Sequence, residues 1–296
     1  MLFSLIFTSR LFSMDLKLIG GFGNLSFDND RTTAISAEAG KFEPVFFPLA
    51  LAQLSGDFNN LSCSVGFERE PLMRNRLFAN IRADLEYFYI EAGPTLGLFN
   101  SSKLPLSPGI SAGLGLIIPG IIFIEAGGSS TLGILMDVTD NYFQRSGALS
   151  AGFWAPYVVC SLNISTSSFT CREQVNLLIE DELARYFFRA DVYTKNIPFT
   201  IRVDLGFQNL SRSYVSQIIN GDVIENDTEK DVFKSIFMGL EGTYTFSPEL
   251  KFLLGGEIPV HSWGVRPMKE PSRSTFFFQV WTGVIWTLPS GKYQRN

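Results

Sequence analysis

The sequence predicts an all-β protein: one transmembrane antiparallel β-barrel of about fourteen strands, with short turns at one end and longer loops at the other. Three observations carry this. From Met14 onward most segments alternate with period 2, as residues on the two faces of a strand must. Phe (28 residues) and Gly (26) are abundant while charged residues are only 18%, against ~25% in soluble domains. The connections also alternate between short and long along the chain, an asymmetry that membrane barrels show.

In order, the strands are expected near Met14–Phe27, Thr32–Glu43, Phe58–Glu70, Leu77–Tyr87, Phe88–Phe99, Gly109–Ile117 and Gly120–Ser130. Tyr142–Trp154, Pro156–Ser168, Leu183–Thr194, Pro198–Asn209, Val232–Phe246, Leu250–His261 and Thr275–Leu288 complete the series. Each is close to the ~10 residues a tilted membrane strand needs. Phe199–Phe207 is the clearest: odd positions are large and apolar, even ones are Thr, Arg, Asp and Gly. Long connections include Asn100–Pro108, Ser130–Asn141, Leu210–Asp231 and Ser262–Ser274; short ones include Pro119-Gly120, Ala155-Pro156, Lys195–Ile197 and Ser247–Glu249. Two connections fit badly. Pro44–Gly56 is long for the short side, and the Arg31 turn is short for the long side.

Register can be tested by arithmetic. A turn at Asn196-Ile197 places Arg189 opposite Asp204 and Asp191 opposite Arg202, two opposite-charge pairs on one face. A turn around Pro248 sends Glu241, Glu257 and Lys251 inward and Met238, Leu240, Phe252 and Leu254 outward. Arg-(Ala/Val)-Asp recurs at Arg82–Asp84, Arg189–Asp191 and Arg202–Asp204. Three features resist the pattern. Pro94 falls mid-strand, Tyr87-Phe88 lacks turn chemistry, and Thr275–Leu288 is apolar on both faces, so twelve strands stays open as an alternative.

Composition excludes several classes. A spanning helix needs ~20 consecutive apolar residues, and the best runs, Val45–Leu54 and Leu114–Ile124, are interrupted by Pro48, Pro119 and Gly120. The net charge of −5 and the lack of a basic stripe argue against nucleic acid. One His and three Cys (Cys63, Cys160, Cys171) leave little for metal or disulfide chemistry, although a Cys160–Cys171 bridge stays open. No cofactor and no metal are expected. Leu2–Phe7 offers an apolar core for an export signal, with Ser13 as the small cleavage residue, yet no basic residue precedes it and Arg10 interrupts it. Residues 1–13 are therefore set aside as a remnant of an export signal, 14–288 as a single barrel domain and 289–296 as a tail.

An enzyme is not expected. The only base–nucleophile candidate is His261-Ser262; parity points His261 inward, and strand neighbours face opposite sides. The informative charges are those assigned to the lumen: Arg82, Asp84, Glu86, Glu91, Arg189, Asp191, Arg202, Asp204, Glu241 and Glu257. Seven carboxylates against three arginines suit a cation-preferring pore; mutual neutralisation that plugs the barrel is the competing reading. The acidic stretch Asp222–Asp231 is read as a solvated loop, and Gly20-Gly21-Phe22-Gly23 as strand glycines that ease curvature. Trp154, Tyr157, Tyr244, Phe246, Trp263, Trp281 and Trp286 are the candidates for interfacial aromatic girdles.

Taken together, Met14–Leu288 resembles bacterial outer-membrane β-barrels, and in size and strand count it is similar to the small monomeric porins with fourteen strands. The outer-membrane fatty-acid transporters also use fourteen strands but carry an N-terminal hatch, for which a first strand beginning at Met14 leaves no room. Thr275–Leu288 resembles the terminal assembly signal of such barrels, departing from it by the tail Pro289–Asn296. The resemblance implies an outer-membrane location, membrane lipid and the outer-membrane assembly machinery as partners, and passive diffusion of small hydrophilic solutes or ions. A plugged barrel serving as surface adhesin or structural anchor is the alternative. A third reading is a transporter of apolar ligands with a lateral opening near Pro94.

Overall fold

The computed structural model describes residues 13–23, 47–70, 74–98, 106–131, 142–174, 177–194, 197–216, 227–264 and 278–288. These form fourteen strands. They are β1 (Ser13–Gly23), β2 (Phe47–Phe58), β3 (Leu61–Glu70), β4 (Arg74–Leu85), β5 (Phe88–Leu98), β6 (Leu106–Ile118) and β7 (Ile122–Thr131). Then come β8 (Tyr142–Ala155), β9 (Val158–Gln174), β10 (Leu177–Thr194), β11 (Ile197–Ser216), β12 (Asp227–Ser247), β13 (Leu250–Gly264) and β14 (Gln279–Leu288). Each pairs antiparallel with its sequence neighbours, and β14 pairs back onto β1 from Met14↔Leu288 to Gly23↔Gln279. The barrel is closed, each strand pairing on both sides, although the β13–β14 ladder ends at Glu257↔Gln279.

One strand is placed differently from expectation. The second strand is Phe47–Phe58, much of which reads in sequence as a connection; Thr32–Glu43 lies outside the described residues, and β1 pairs directly with β2. The reason is that Leu49-Ala50-Leu51-Ala52 is apolar on both faces, which hides period 2: Leu49 and Leu51 share the inward side with Lys17, Ala50 and Ala52 the outward one. The shift removes both misfits. Residues 24–46 now connect β1 to β2 at the long-connection end, and Asn59-Asn60 make a tight turn at the other. The count stays at fourteen, which excludes twelve.

The two hairpin registers are as the arithmetic has them: Arg189↔Asp204, Asp191↔Arg202 and Gly239↔Glu257. In the first, the register shifts after Tyr193, so that Thr194 pairs with Ile197. The turn between β4 and β5 is Glu86-Tyr87 rather than Tyr87-Phe88. At Pro119-Gly120 the φ of +75° at Gly120 and the Ile121 N–H donating to the Ile118 carbonyl (3.0 Å) make the Pro-Gly arrangement of a type II turn. Pro94 belongs to β5; its rungs to β6 are intact, whereas the β4 ladder skips Ala79 and Asn80 opposite Gly93 and Pro94. Cys160 and Cys171 both lie on β9, ~36 Å apart at 3.3 Å per residue, so they cannot bridge.

The outer face is apolar. Leu162 (67% exposed), Leu240 and Leu254 (68%) all point away from the lumen, an arrangement whose natural solvent is lipid. On β11 the outward row Phe199–Phe207 spans nine residues, ~23 Å after tilt, close to the ~25 Å apolar band of membrane barrels. Beyond it the outward positions of β10–β12 become polar: Glu182, Asn209, Ser211 and Lys234. These strands, 18 to 21 residues long, therefore run past the lipid at the long-connection end. This shortens the expected loop Leu210–Asp231, since β11 continues to Ser216 and β12 starts at Asp227. Tyr157, Tyr244, Phe246, Trp263 and Trp286 are exposed on the outer face. Trp154 and Trp281 are not in a girdle: both turn inward, Trp154 against Phe123.

Candidate functional site

Inward positions follow directly from the registers, because residues paired across strands share a face. The lumen they line has two unlike walls.

The first wall is β10–β14 with β1. Arg189 grips Asp204 with two bonds, Nε to Oδ1 and Nη2 to Oδ2, both 2.8 Å. This bidentate fork fixes direction as well as charge. Arg202 Nε donates to Asp191 Oδ1 (2.7 Å) and its Nη1 to Glu241 Oε1 (3.2 Å). Glu241 also accepts the Trp281 indole N–H at 2.7 Å. Arg185 pairs with Glu257, three strands away, and its guanidinium lies 4.3 Å from the Phe237 ring centroid. Towards the long-connection end, Leu210, Phe233 and Phe237 are buried on the inward side, joined by Phe169 from the adjoining β9, with Leu210 and Phe237 at 0% exposure. Gln208 Nε2 donates to Ser235 Oγ beside them (2.9 Å). This end of the wall is filled.

The second wall is β3–β9. Arg76 donates to Glu68 (2.7 Å) and Ser129 (2.5 Å). Asn80 Nδ2 donates to Glu91 (2.5 Å), and the Tyr89 hydroxyl donates to Glu125 (3.1 Å). Arg82 bonds Asp84 (2.8 Å) and covers the Tyr89 ring at 3.7 Å. Tyr89 lies flat across β6 at Gly115, where any Cβ would collide with its ring; Gly is what lets the aromatic lie along the wall. From β6 to β9 the inward side chains along the middle of the wall are mostly small (Gly113, Gly127, Ser129, Ser146, Ala148, Ser150, Ser165 and Ser167), with Glu125 among them and Phe123, Trp154 and Phe169 nearer the ends.

Small residues leave space. A cavity of about 600 Å³ lies against this wall, from Glu68 and Arg76 round to Arg185 and Gln279. A second of about 200 Å³ lies against the charged wall, bounded by Arg189, Arg202, Glu241, Glu257 and Trp281. Arg185 and Gln279 border both.

The sequence-derived charges divide accordingly. Arg189, Asp191, Arg202, Asp204, Glu241 and Glu257 come together on the first wall; Arg82, Asp84 and Glu91 lie on the second. Glu86 is in the β4–β5 turn, exposed at the short-turn end. His261 faces outward, not inward. A bulge at Val260 shifts the register so that His261 pairs with outward-facing Ile236, and its ring lies 5.5 Å from that of Trp263. Arg185, Arg76 with Glu68, and the Tyr89–Glu125 pair were missed. The signal for Arg185 was present, four positions before Arg189 on the same face; the others needed register across β3–β7.

Closed wall, apolar exterior and polar interior define the class: a fourteen-stranded antiparallel β-barrel built to span a membrane. No family model matches the chain, and no curated protein matches it. Among solved structures it is similar to a loop-deletion variant of OmpT, an outer membrane protein of Vibrio cholerae (8% identity, 94% of this chain and 98% of that one, TM-score 0.43). It is also similar to an outer membrane channel from Pseudomonas putida F1 (8%, 94% and 96%, 0.44) and to a porin (9%, 94% and 99%, 0.40). No residue role passes from them to this chain.

Proposed function

We propose that this protein is an outer-membrane channel through which small hydrophilic solutes and ions diffuse passively. The observation that carries the reading is the unfilled space of about 600 Å³, reached by serine, carboxylate and arginine side chains, inside a barrel whose exterior is apolar. Its lining of serines, glycines and carboxylates offers hydrogen bonds to a hydrated solute without a deep binding pocket, which is what passage rather than retention requires. The test is conductance of the purified, refolded protein in a planar bilayer: discrete steps support an open path, and silence from folded protein removes it. One observation favours a second reading. The buried cluster Phe169, Leu210, Phe233 and Phe237 fills part of the lumen at the long-connection end, as expected of a closed barrel acting through its surface as an adhesin or anchor.

A further inference from the structure

We infer that the ion preference of the lumen is set by Glu91 and Glu125 on the β5–β7 wall, and that the solutes favoured are small cations. The inference rests on the channel reading above and gives its selectivity a location. It comes from charge pairing. Six carboxylates and four arginines border the two lumen cavities among the described residues. Glu68, Asp204, Glu241 and Glu257 each contact a guanidinium. Glu91 and Glu125 do not: their partners are a neutral amide, Asn80, and a neutral hydroxyl, Tyr89. Two negative charges are left over, and both face the larger cavity.

Their surroundings keep that charge available. Arg82 is the direct cross-strand neighbour of Glu91, yet its guanidinium is turned onto Asp84 and the Tyr89 ring. Between the two carboxylates runs β6, whose inward positions Gly113 and Gly115 have no side chain to separate them. The flanking inward residues Ser111, Ser129 and Ser150 add hydroxyls, and the one guanidinium among them, Arg76 on Ser129, is already paired with Glu68 at 2.7 Å. On the opposite wall Arg189 closes on Asp204 while Arg202 is shared by Asp191 and Glu241 at 2.7–3.2 Å, and inward-facing Lys17 of β1 adds a cation near Glu241, so that wall presents no comparable excess to a passing ion. The sequence spreads the cation preference over seven carboxylates; charge pairing narrows it to Glu91 and, beyond those seven, Glu125.

The test is the reversal potential in a dilute potassium chloride gradient across a planar bilayer, with folding of every variant checked by circular dichroism. The native protein is expected to favour the cation. In Glu91→Gln/Glu125→Gln the cation-to-anion permeability ratio should fall more than about tenfold, because each of two unit charges ~7 Å from the ion path in a watery lumen shifts cation and anion by about RT in opposite directions. In Arg189→Gln/Asp204→Asn, which removes a whole pair, the ratio should stay within about twofold. Ser150→Lys, which sets a cation directly across from Glu125, should lower the ratio without touching either carboxylate, and gives a reading if the double variant does not fold. An unchanged ratio in the double variant, or in Ser150→Lys, overturns the inference while leaving the channel intact. No conductance from folded native protein overturns the channel reading itself.

Discussion

On β10–β13 the inward positions carry Arg185, Phe187, Arg189, Asp204, Phe237 and Glu257; on β6–β9 they carry Gly113, Gly127, Ser129, Ser146, Ala148 and Ser165. Outside, the two regions are alike, with Leu205, Leu240 and Leu254 on one and Leu114, Leu149 and Leu162 on the other. The shared exterior follows from one solvent. The unlike interiors show that alternation decides which side chains enter the lumen, and their size decides whether a lumen remains. Large charged and aromatic groups close on one another and fill the β10–β13 side, while hydroxyls and glycines hold the other side open.

The comparison can be broken most directly at the shared exterior. Leu162→Lys replaces an exposed leucine, a substitution expected to be nearly neutral in water; in a bilayer it should cost about 2–4 kcal/mol, read as a lowered urea midpoint in lipid vesicles. The same lysine at inward Ser165, one strand from Arg185, should cost well under half of that. Equal costs at the two sites would contradict the assignment of faces.

Within the open wall, Gly115→Ala forces the Tyr89 ring off the strand. A loss of about 1–3 kcal/mol is expected, accompanied by a changed Tyr fluorescence as the ring leaves Glu125. In the filled wall, Arg189→Ala strands the Asp204 carboxylate, which is only 15% exposed. Between the value of an exposed pair and that of a buried one, about 1–2 kcal/mol should be lost. Trp281→Phe keeps the ring but drops the indole N–H to Glu241, a loss of about 1 kcal/mol. Urea unfolding followed by circular dichroism measures all three.

The charge pairs of the filled wall were legible in the sequence, whereas of the open wall only Arg82, Asp84 and Glu91 were, for a physical reason. Arg-Ala-Asp and Arg-Val-Asp alternate charge with apolar residues, so parity and register could be read from Arg189–Asp191 and Arg202–Asp204 alone. Serine and glycine carry no such contrast: in Gly127-Gly128-Ser129-Ser130 the inward and outward residues are the same two types. Nothing in the residues themselves marks Ala148 as lining a cavity. The second strand was lost for a related reason, apolar side chains on both faces at Leu49–Ala52. His261 was turned the wrong way by a single extra residue at Val260, and such a bulge leaves no mark in a period-2 pattern.

The account stands on the β6–β9 wall bordering the solute path. The direct test is single-channel conductance of Ala148→Cys, in a background with Cys63, Cys160 and Cys171 replaced by alanine, before and after a bulky thiol reagent added to the aqueous phase. Ala148 is an inward residue of β8 at the edge of the larger cavity. The expected result is a step-like loss of most of the conductance on labelling, with Leu149→Cys on the outward face unaffected. Undiminished conductance from fully labelled Ala148→Cys would contradict the account.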